Sequence, residues 1–383
     1  MVKILHVVSS VDPSFGGVAE SIVRRGEKLV EMGHQVEVAS LDSPDNPAIQ
    51  DYPLPLHALG PGKTAWCYSP RLIPWLRDNC RRFDAVVVDG LWQFHGVATR
   101  EALRGTNVPY FVFPHGMLDP WFKTTYPLKH LKKWLFWPWA EYRVLRDARA
   151  VLFTCEEERK LARQSFWLYK VTEQVVPFGT ASPPTNKEEL RQTFLTTYPQ
   201  LAGKRILLFL SRIHVKKGCD MLIEAFGRIA QQNHDVHLAI AGPCEPALLA
   251  ALKAQVTALG LTERVHWLGM LKGPLKWGAL HASSAFTLPS HQENFGIAVA
   301  EALGCGTPVL ISDKVNIWTE VANGKAGYIG NDTVDGTYDT INRWLSTTDD
   351  ELRQISCNAI KTFQRHFTIH AMSAGLLHAI KKT

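Results

Sequence analysis

The sequence predicts an α/β protein made of two successive doubly wound units, and three observations carry that expectation. Its 383 residues exceed one ordinary hydrophobic core. Near the N-terminus an apolar strand (Lys3–Ser10), a helix (Gly17–Met32, closed by Gly33) and an alternating strand (Gln35–Leu41) follow one another. That order is the mark of a parallel sheet with right-handed crossovers. After Lys204 the order restarts: strand Arg205–Ser211, helix Asp220–Gln231, strand Val236–Gly242, helix Pro246–Leu259, strand Val265–Gly269 and helix Leu275–Ser283. The expected boundaries are a first domain over residues 1–180, a linker over 181–203, a second domain over 204–365 and a final helical segment over 366–383.

Composition narrows the class. With 46% hydrophobic and 20% charged residues the chain reads as globular, neither disordered nor fibrous. The first residues carry too short an apolar run for a signal peptide, and no stretch reaches the roughly 20 apolar residues of a membrane span. Seven scattered cysteines without a C-x-x-C spacing fit a reduced, cytoplasmic protein.

In the first half, Gly16 and Gly17 open the first helix, where amides face whatever lies above the sheet; the plainer alternative is a tight turn that needs glycine. Residues 44–70 are proline-rich and read as irregular. Gly60–Thr64 resembles half a P-loop, but His57 stands where that motif needs glycine, and Pro53, Pro55 and Pro61 argue against a preceding strand. No G-x-G-x-x-G follows any strand, which counts against a dinucleotide-dependent dehydrogenase. Strands Asp84–Asp89 and Tyr110–Phe113 end in polar loops, and His115 beside Gly116 sits where open α/β sheets bind ligands. Thr154 with Glu157 reads as a capping box.

Residues 121–149 stand apart: seven basic residues against Glu141 and Asp147, and four of the twelve tryptophans. Leu128, Leu131, Trp134 and Leu135 share a helical face opposite Lys129, Lys132 and Lys133. Such a helix suits contact with an anionic membrane or a lipid-linked acceptor, but the preferred expectation is an apolar face packed on its own domain with the basic face solvated. Nucleic acid is not an expected partner, because the rest of the chain has almost no net positive charge.

The richest stretch is Leu288–Gly306, where a strand end turns into a helix from about Phe295. Glu301 is a lone carboxylate in an apolar run and needs a partner there. Its side chain leans toward the helix mouth, where Glu293 and the amides of Asn294, Phe295, Gly296 and Ile297 lie. Unpaired amides and the helix dipole attract an anion. Two carboxylates for hydroxyls beside amides for phosphate describe a sugar-nucleotide site. Arg212 and Lys217, after the first strand of the second unit, could neutralise a diphosphate at the same mouth.

Ser-Arg-x4-Lys-Gly from Ser211, then Pro-Ser-x2-Glu-Asn-Phe-Gly-x4-Glu-Ala-Leu from Pro289, with Gly16-Gly17 and His115-Gly116, resembles the retaining GT-B glycosyltransferases of family 4 over about residues 3–365. The resemblance implies two Rossmann-like domains facing each other across a cleft, with the C-terminal helix crossing back to the first. It implies Glu301 on the ribose, Arg212 and Lys217 on the diphosphate, and Glu293 with the amides of Asn294, Phe295, Gly296 and Ile297 on sugar hydroxyls and phosphate. His115 would lie near the transferred sugar and Gly16-Gly17 near the phosphates, with His115, Arg212, Lys217 and Glu293 as the catalytic set. It implies transfer with retention, no metal and no other cofactor. The basic aromatic segment is similar to that of members acting on lipid carriers in exopolysaccharide or lipopolysaccharide synthesis, peripheral to the inner face of the plasma membrane. Asn294 and Phe178-Gly179 depart from the usual pattern. The alternatives are a nucleotide-sugar 2-epimerase, for which no clear acid/base set is present in the first domain, and a non-catalytic sugar-nucleotide-binding scaffold.

Overall fold

The computed structural model describes residues 1–13 and 17–382, without the side chains of Phe122 and Thr124. It divides into two compact units, Met1–Phe178 with Ile369–Thr383, and Gly179–Thr368. Each is a parallel sheet wrapped by helices, as the strand–helix alternation predicts.

The first unit runs β1 (Lys3–Val8), α1 (Gly17–Glu31), β2 (Gln35–Ser40), β3 (Leu56–Ala58), α2 (Leu72–Asn79), β4 (Ala85–Asp89), α3 (Phe94–Leu103), β5 (Tyr110–Phe113), α4 (Trp121–Thr125), α5 (Pro127–Phe136), α6 (Glu141–Asp147), β6 (Ala150–Phe153), α7 (Glu156–Ala162) and β7 (Glu173–Val175). Its sheet order is β3-β2-β1-β4-β5-β6-β7. β4, β5 and β6 are buried throughout, the continuous apolar habit of strands covered on both faces. Residues 44–70, expected to be irregular, contribute the three-residue edge strand β3, a position that tolerates the nearby prolines.

The second unit runs α8 (Lys187–Thr197), β8 (Arg205–Leu210), α9 (Cys219–Ala230), β9 (Val236–Ala241), α10 (Pro246–Ala258), β10 (Val265–Gly269), α11 (Gly273–Ala282), β11 (Ala285–Leu288), α12 (Ile297–Gly304), β12 (Val309–Ser312), α13 (Trp318–Asn323), β13 (Gly327–Gly330), α14 (Val334–Leu345) and α15 (Asp349–His366). Its order is β10-β9-β8-β11-β12-β13. Much of the stretch read as a linker is α8, which packs on α11 so closely that a Cβ on Gly278 would lie 2.3 Å from the Leu190 carbonyl oxygen. The chain then returns to the first unit as α16 (Ile369–Lys381), whose Leu376, Leu377 and Ile380 join the core over β1, β2 and α1.

Both sheets reverse strand order once, between β1 and β4 and between β8 and β11. Such switch points open a crevice beyond the strands' carboxyl ends, where ligands bind in folds of this kind. The loops there are shaped by close backbone approach. Gly242, just after β9, has φ +147, and a Cβ there would sit 1.8 Å from the Ser211 carbonyl oxygen that leads into Arg212. Gly242→Ala should therefore cost about 1–3 kcal/mol in urea unfolding. A variant as stable as the parent would contradict this account of the β8 and β9 loops.

Candidate functional site

In the second unit, the loops following β8 and β11 meet. After β8 the chain passes Arg212, makes a short 3-10 turn over Val215–Lys217 and enters α9 through Gly218, held at φ +64. A Cβ on Gly218 would lie 2.3 Å from the Pro289 carbonyl oxygen, so this glycine sets how near the two loops come. The His291 amide donates to the Lys216 carbonyl at 2.7 Å. Lys217 Nζ then reaches Glu293 Oε2 at 2.5 Å and the Gln292 carbonyl at 3.3 Å. An ammonium has three donors, and these bonds use two. Glu293 is also fixed through its backbone, which donates to Lys314 O and accepts from the Asn316 amide.

The helix expected from Phe295 begins at Ile297, because Gly296 at φ +78 carries the turn into it. Among the described residues no side chain caps α12, and a helix start of this kind leaves amides able to donate to an anion. Asn294 accepts from Asn316 Nδ2 at 3.4 Å, while Phe295 is buried with its ring edge-on to Phe367. Glu301, 5% exposed, meets Lys276 Nζ at 2.6 Å. Lys276 is the partner that the apolar run around Glu301 demanded, and it was not singled out in the sequence because it lies 25 residues upstream on α11. Arg212 is exposed and makes no ion pair among the described residues. The structure thus joins Lys217 to Glu293 directly and sets both beside the start of α12, while Glu301 pairs with Lys276 on α11.

The first unit gathers a second polar cluster at its own switch point. Gly17 opens α1 and is exposed, and Gly16 lies outside the described residues. His115, just past β5, has φ +49, a left-handed conformation rare outside glycine. Two buried carboxylates hold that turn: Asp89 Oδ1 takes His115 Nε2 at 3.0 Å, and Glu158 Oε1 takes the Gly116 amide at 2.6 Å. Asp89 also pairs with Arg25 at 2.9 Å and with His6 Nδ1 at 2.6 Å, all three without solvent exposure. Burial alone would raise the Asp89 carboxyl, but Arg25, His6 and the bond from His115 outweigh it and hold the group well below the usual range. Burial and Arg25 push His6 down, against the pull of Asp89. Asp89 is therefore the acceptor, and His115 presents its Nε2 proton inward. Sequence reading missed Asp89; its one signal is a charge closing an otherwise apolar strand.

Two other expectations shift. The cap of α7 is Cys155, whose sulfur accepts from the Glu158 amide, while Glu158 turns back to Thr154 N and Oγ1, so the box Thr154–Glu157 is one residue out of register. α5 does not bury its leucine face: none of its described side chains is buried, and Leu128 and Leu135 are 78% and 62% exposed. His130 stacks on Phe166 and Lys133 lies over Trp92 instead. Among the described residues no helix is long and apolar enough to cross a membrane.

Residues 197–362 match the family described as glycosyl transferases group 1, and residues 16–179 match the glycosyl transferase 4-like domain. Among curated proteins the chain is 27% identical over 183 residues to a D-inositol 3-phosphate glycosyltransferase of Jonesia denitrificans, covering 46% of this chain and 43% of that protein. It is 23% identical over 347 residues to mannosylfructose-phosphate synthase of Agrobacterium fabrum, covering 81% and 74%. The match thus spans less than half of the Jonesia protein. Anabaena HepE in complex with UDP and glucose superposes over 100% of both chains with a TM-score of 0.75 at 17% identity. WaaG, a glycosyltransferase involved in lipopolysaccharide biosynthesis, superposes over 99% of this chain and 100% of that one with a TM-score of 0.66 at 16% identity.

The electrostatics of Asp89 give a test. A carboxyl held low in the fold stabilises it above the unfolded value near 4, and that contribution is lost as pH falls below about 4. Asp89→Asn should therefore be less stable than the parent at pH 7 yet lose less between pH 5 and pH 3, measured by urea unfolding. Parallel losses in the two proteins would contradict an ionised Asp89. The two family matches together take in most of the chain, and this protein belongs to the group 1 glycosyltransferases, with the two Rossmann-like units of the GT-B fold.

Proposed function

We propose that this protein transfers a hexose from a UDP- or GDP-sugar to a glycan or lipid-linked acceptor, with retention of anomeric configuration and without metal, in exopolysaccharide or lipopolysaccharide synthesis. The observation that carries the reading is the Lys217–Glu293 pair beside the uncapped start of α12, at a switch point of a parallel sheet. Lys217 and Arg212 supply fixed positive charge for a diphosphate, and the α12 amides supply donors. Glu301 takes ribose hydroxyls, exchanging part of its bond to Lys276 for them. Glu293 orients sugar hydroxyls.

In the reaction the bond from the anomeric carbon to the diphosphate oxygen breaks, and an acceptor oxygen bonds to the same face of that carbon. The acceptor's proton passes to the departing phosphate oxygen, so no protein base is required. His115, held by Asp89, borders the transferred sugar. The fold neighbour HepE carries UDP-glucose in one of its structures, which makes a UDP-hexose the first donor to try. The exposed Leu128, Leu131, Leu135 and Trp139 among lysines favour contact of residues 121–149 with the inner face of the plasma membrane, where a lipid-linked acceptor would be met.

Thermal unfolding with a panel of UDP-, GDP- and ADP-sugars, in a chelator, tests the donor site. One nucleotide series should raise the melting temperature, and Glu301→Gln should weaken that donor about tenfold or more while leaving the fold intact. No shift with any sugar nucleotide, with or without magnesium, would overturn the reading.

A further inference from the structure

The first unit holds an apolar pocket of about 450 Å³ between α5 and the turn after β4. Trp66, Trp92 and Phe136 line it, together with Lys132, Lys133 and Glu141. Trp92 has φ +70, a strained conformation for an aromatic residue, and its indole nitrogen donates to the Met117 carbonyl at 3.3 Å. That carbonyl lies two residues beyond His115, so the turn that shapes the pocket is continuous with the His115 turn. Lys133 Nζ stands 4.4 Å from the centre of the Trp92 ring, and burial lowers its pKa. Glu141 is 3% exposed, and burial pushes its carboxyl up to about 7 against a Trp92 backbone bond and the Lys133 charge. Near neutrality the two lysines therefore leave the pocket positive.

We propose that this pocket binds an anionic amphiphile, a phosphate ester of a hydrocarbon chain, which carries the acceptor. The chain lies among Trp66, Trp92 and Phe136, and the phosphate meets Lys132 and Lys133. The assignment rests on the lipid-linked branch of the function proposed above. Phe136, 68% exposed, belongs both to the pocket and to the outward apolar residues of α5, so a chain leaving the pocket runs along Leu135 rather than into water.

Farnesyl phosphate, kept below its micelle-forming concentration, tests the proposal on the full chain by calorimetric titration, beside farnesol and inorganic phosphate. Saturable binding is expected, at least tenfold tighter than either comparison compound and weakened about tenfold in Lys132→Gln and in Lys133→Gln. Lys132 is exposed, so its variant should keep the fold. Leu128→Gln should leave farnesyl phosphate binding unchanged while weakening binding to vesicles of phosphatidylglycerol and phosphatidylcholine. Equal affinity for farnesol and farnesyl phosphate, no effect of either lysine variant, or equal loss in Leu128→Gln would overturn the assignment. Failure of farnesyl phosphate with an intact sugar-nucleotide thermal shift sinks the pocket alone. Binding of farnesyl phosphate without any such shift upholds the pocket and sinks the donor reading.

Discussion

The contact between Lys217 Nζ and Glu293 Oε2 is the constraint on which the site of the second unit turns. It ties the loop after β8 to the loop after β11, the two loops flanking the strand-order reversal. Gly218 permits the approach and Gly296 bends the chain into α12 directly afterward, so one ion pair, two left-handed glycines and a helix start belong to the same two joined loops. With both side chains mostly shielded from water, the pair is less screened than a surface salt bridge. Lys217 can hold its carboxylate and still donate to an anion.

The first unit repeats the principle with opposite polarity. Asp89 sits at the carboxyl end of β4 and gathers Arg25 from α1, His6 from β1 and His115 from the loop after β5. A carboxylate so deep is tolerable only because it is fully paired, and in return it fixes which nitrogen of His115 carries a proton. Glu158 holds the adjoining backbone. The left-handed turn at His115 is thus imposed by two buried carboxylates on different elements, which over-determine a strained backbone.

The architecture was legible because both sheets are parallel and covered on both faces, so their strands read as apolar runs between helical periods. Three edge strands escaped notice: β3, β7 and β13 are only half-buried along their length, so they lack the apolar run that marks the equally short β5. Arg212, Lys217, Glu293 and Glu301, the charged residues of the candidate site, stand out in the sequence because they fall at strand ends or break an apolar run. Their partners were not. Lys276 and Glu158 look like ordinary helix-surface charges, and only tertiary packing brings them to Glu301 and Gly116. α5 defeated the pattern differently: its leucines follow the helical period, yet they face solvent while His130 and Lys133 turn onto aromatic rings. Periodicity shows that a helix has two faces, not which one it buries.

In the proposed reaction Lys217 recognises the diphosphate of a donor. The most direct measurement compares nucleoside diphosphate with nucleoside monophosphate, for the base selected by the donor panel, in the parent and in Lys217→Ala. The parent should prefer the diphosphate by about tenfold or more, near 1.4 kcal/mol, and the variant should lose most of this preference while binding the monophosphate as before. An unchanged preference in the variant would contradict it.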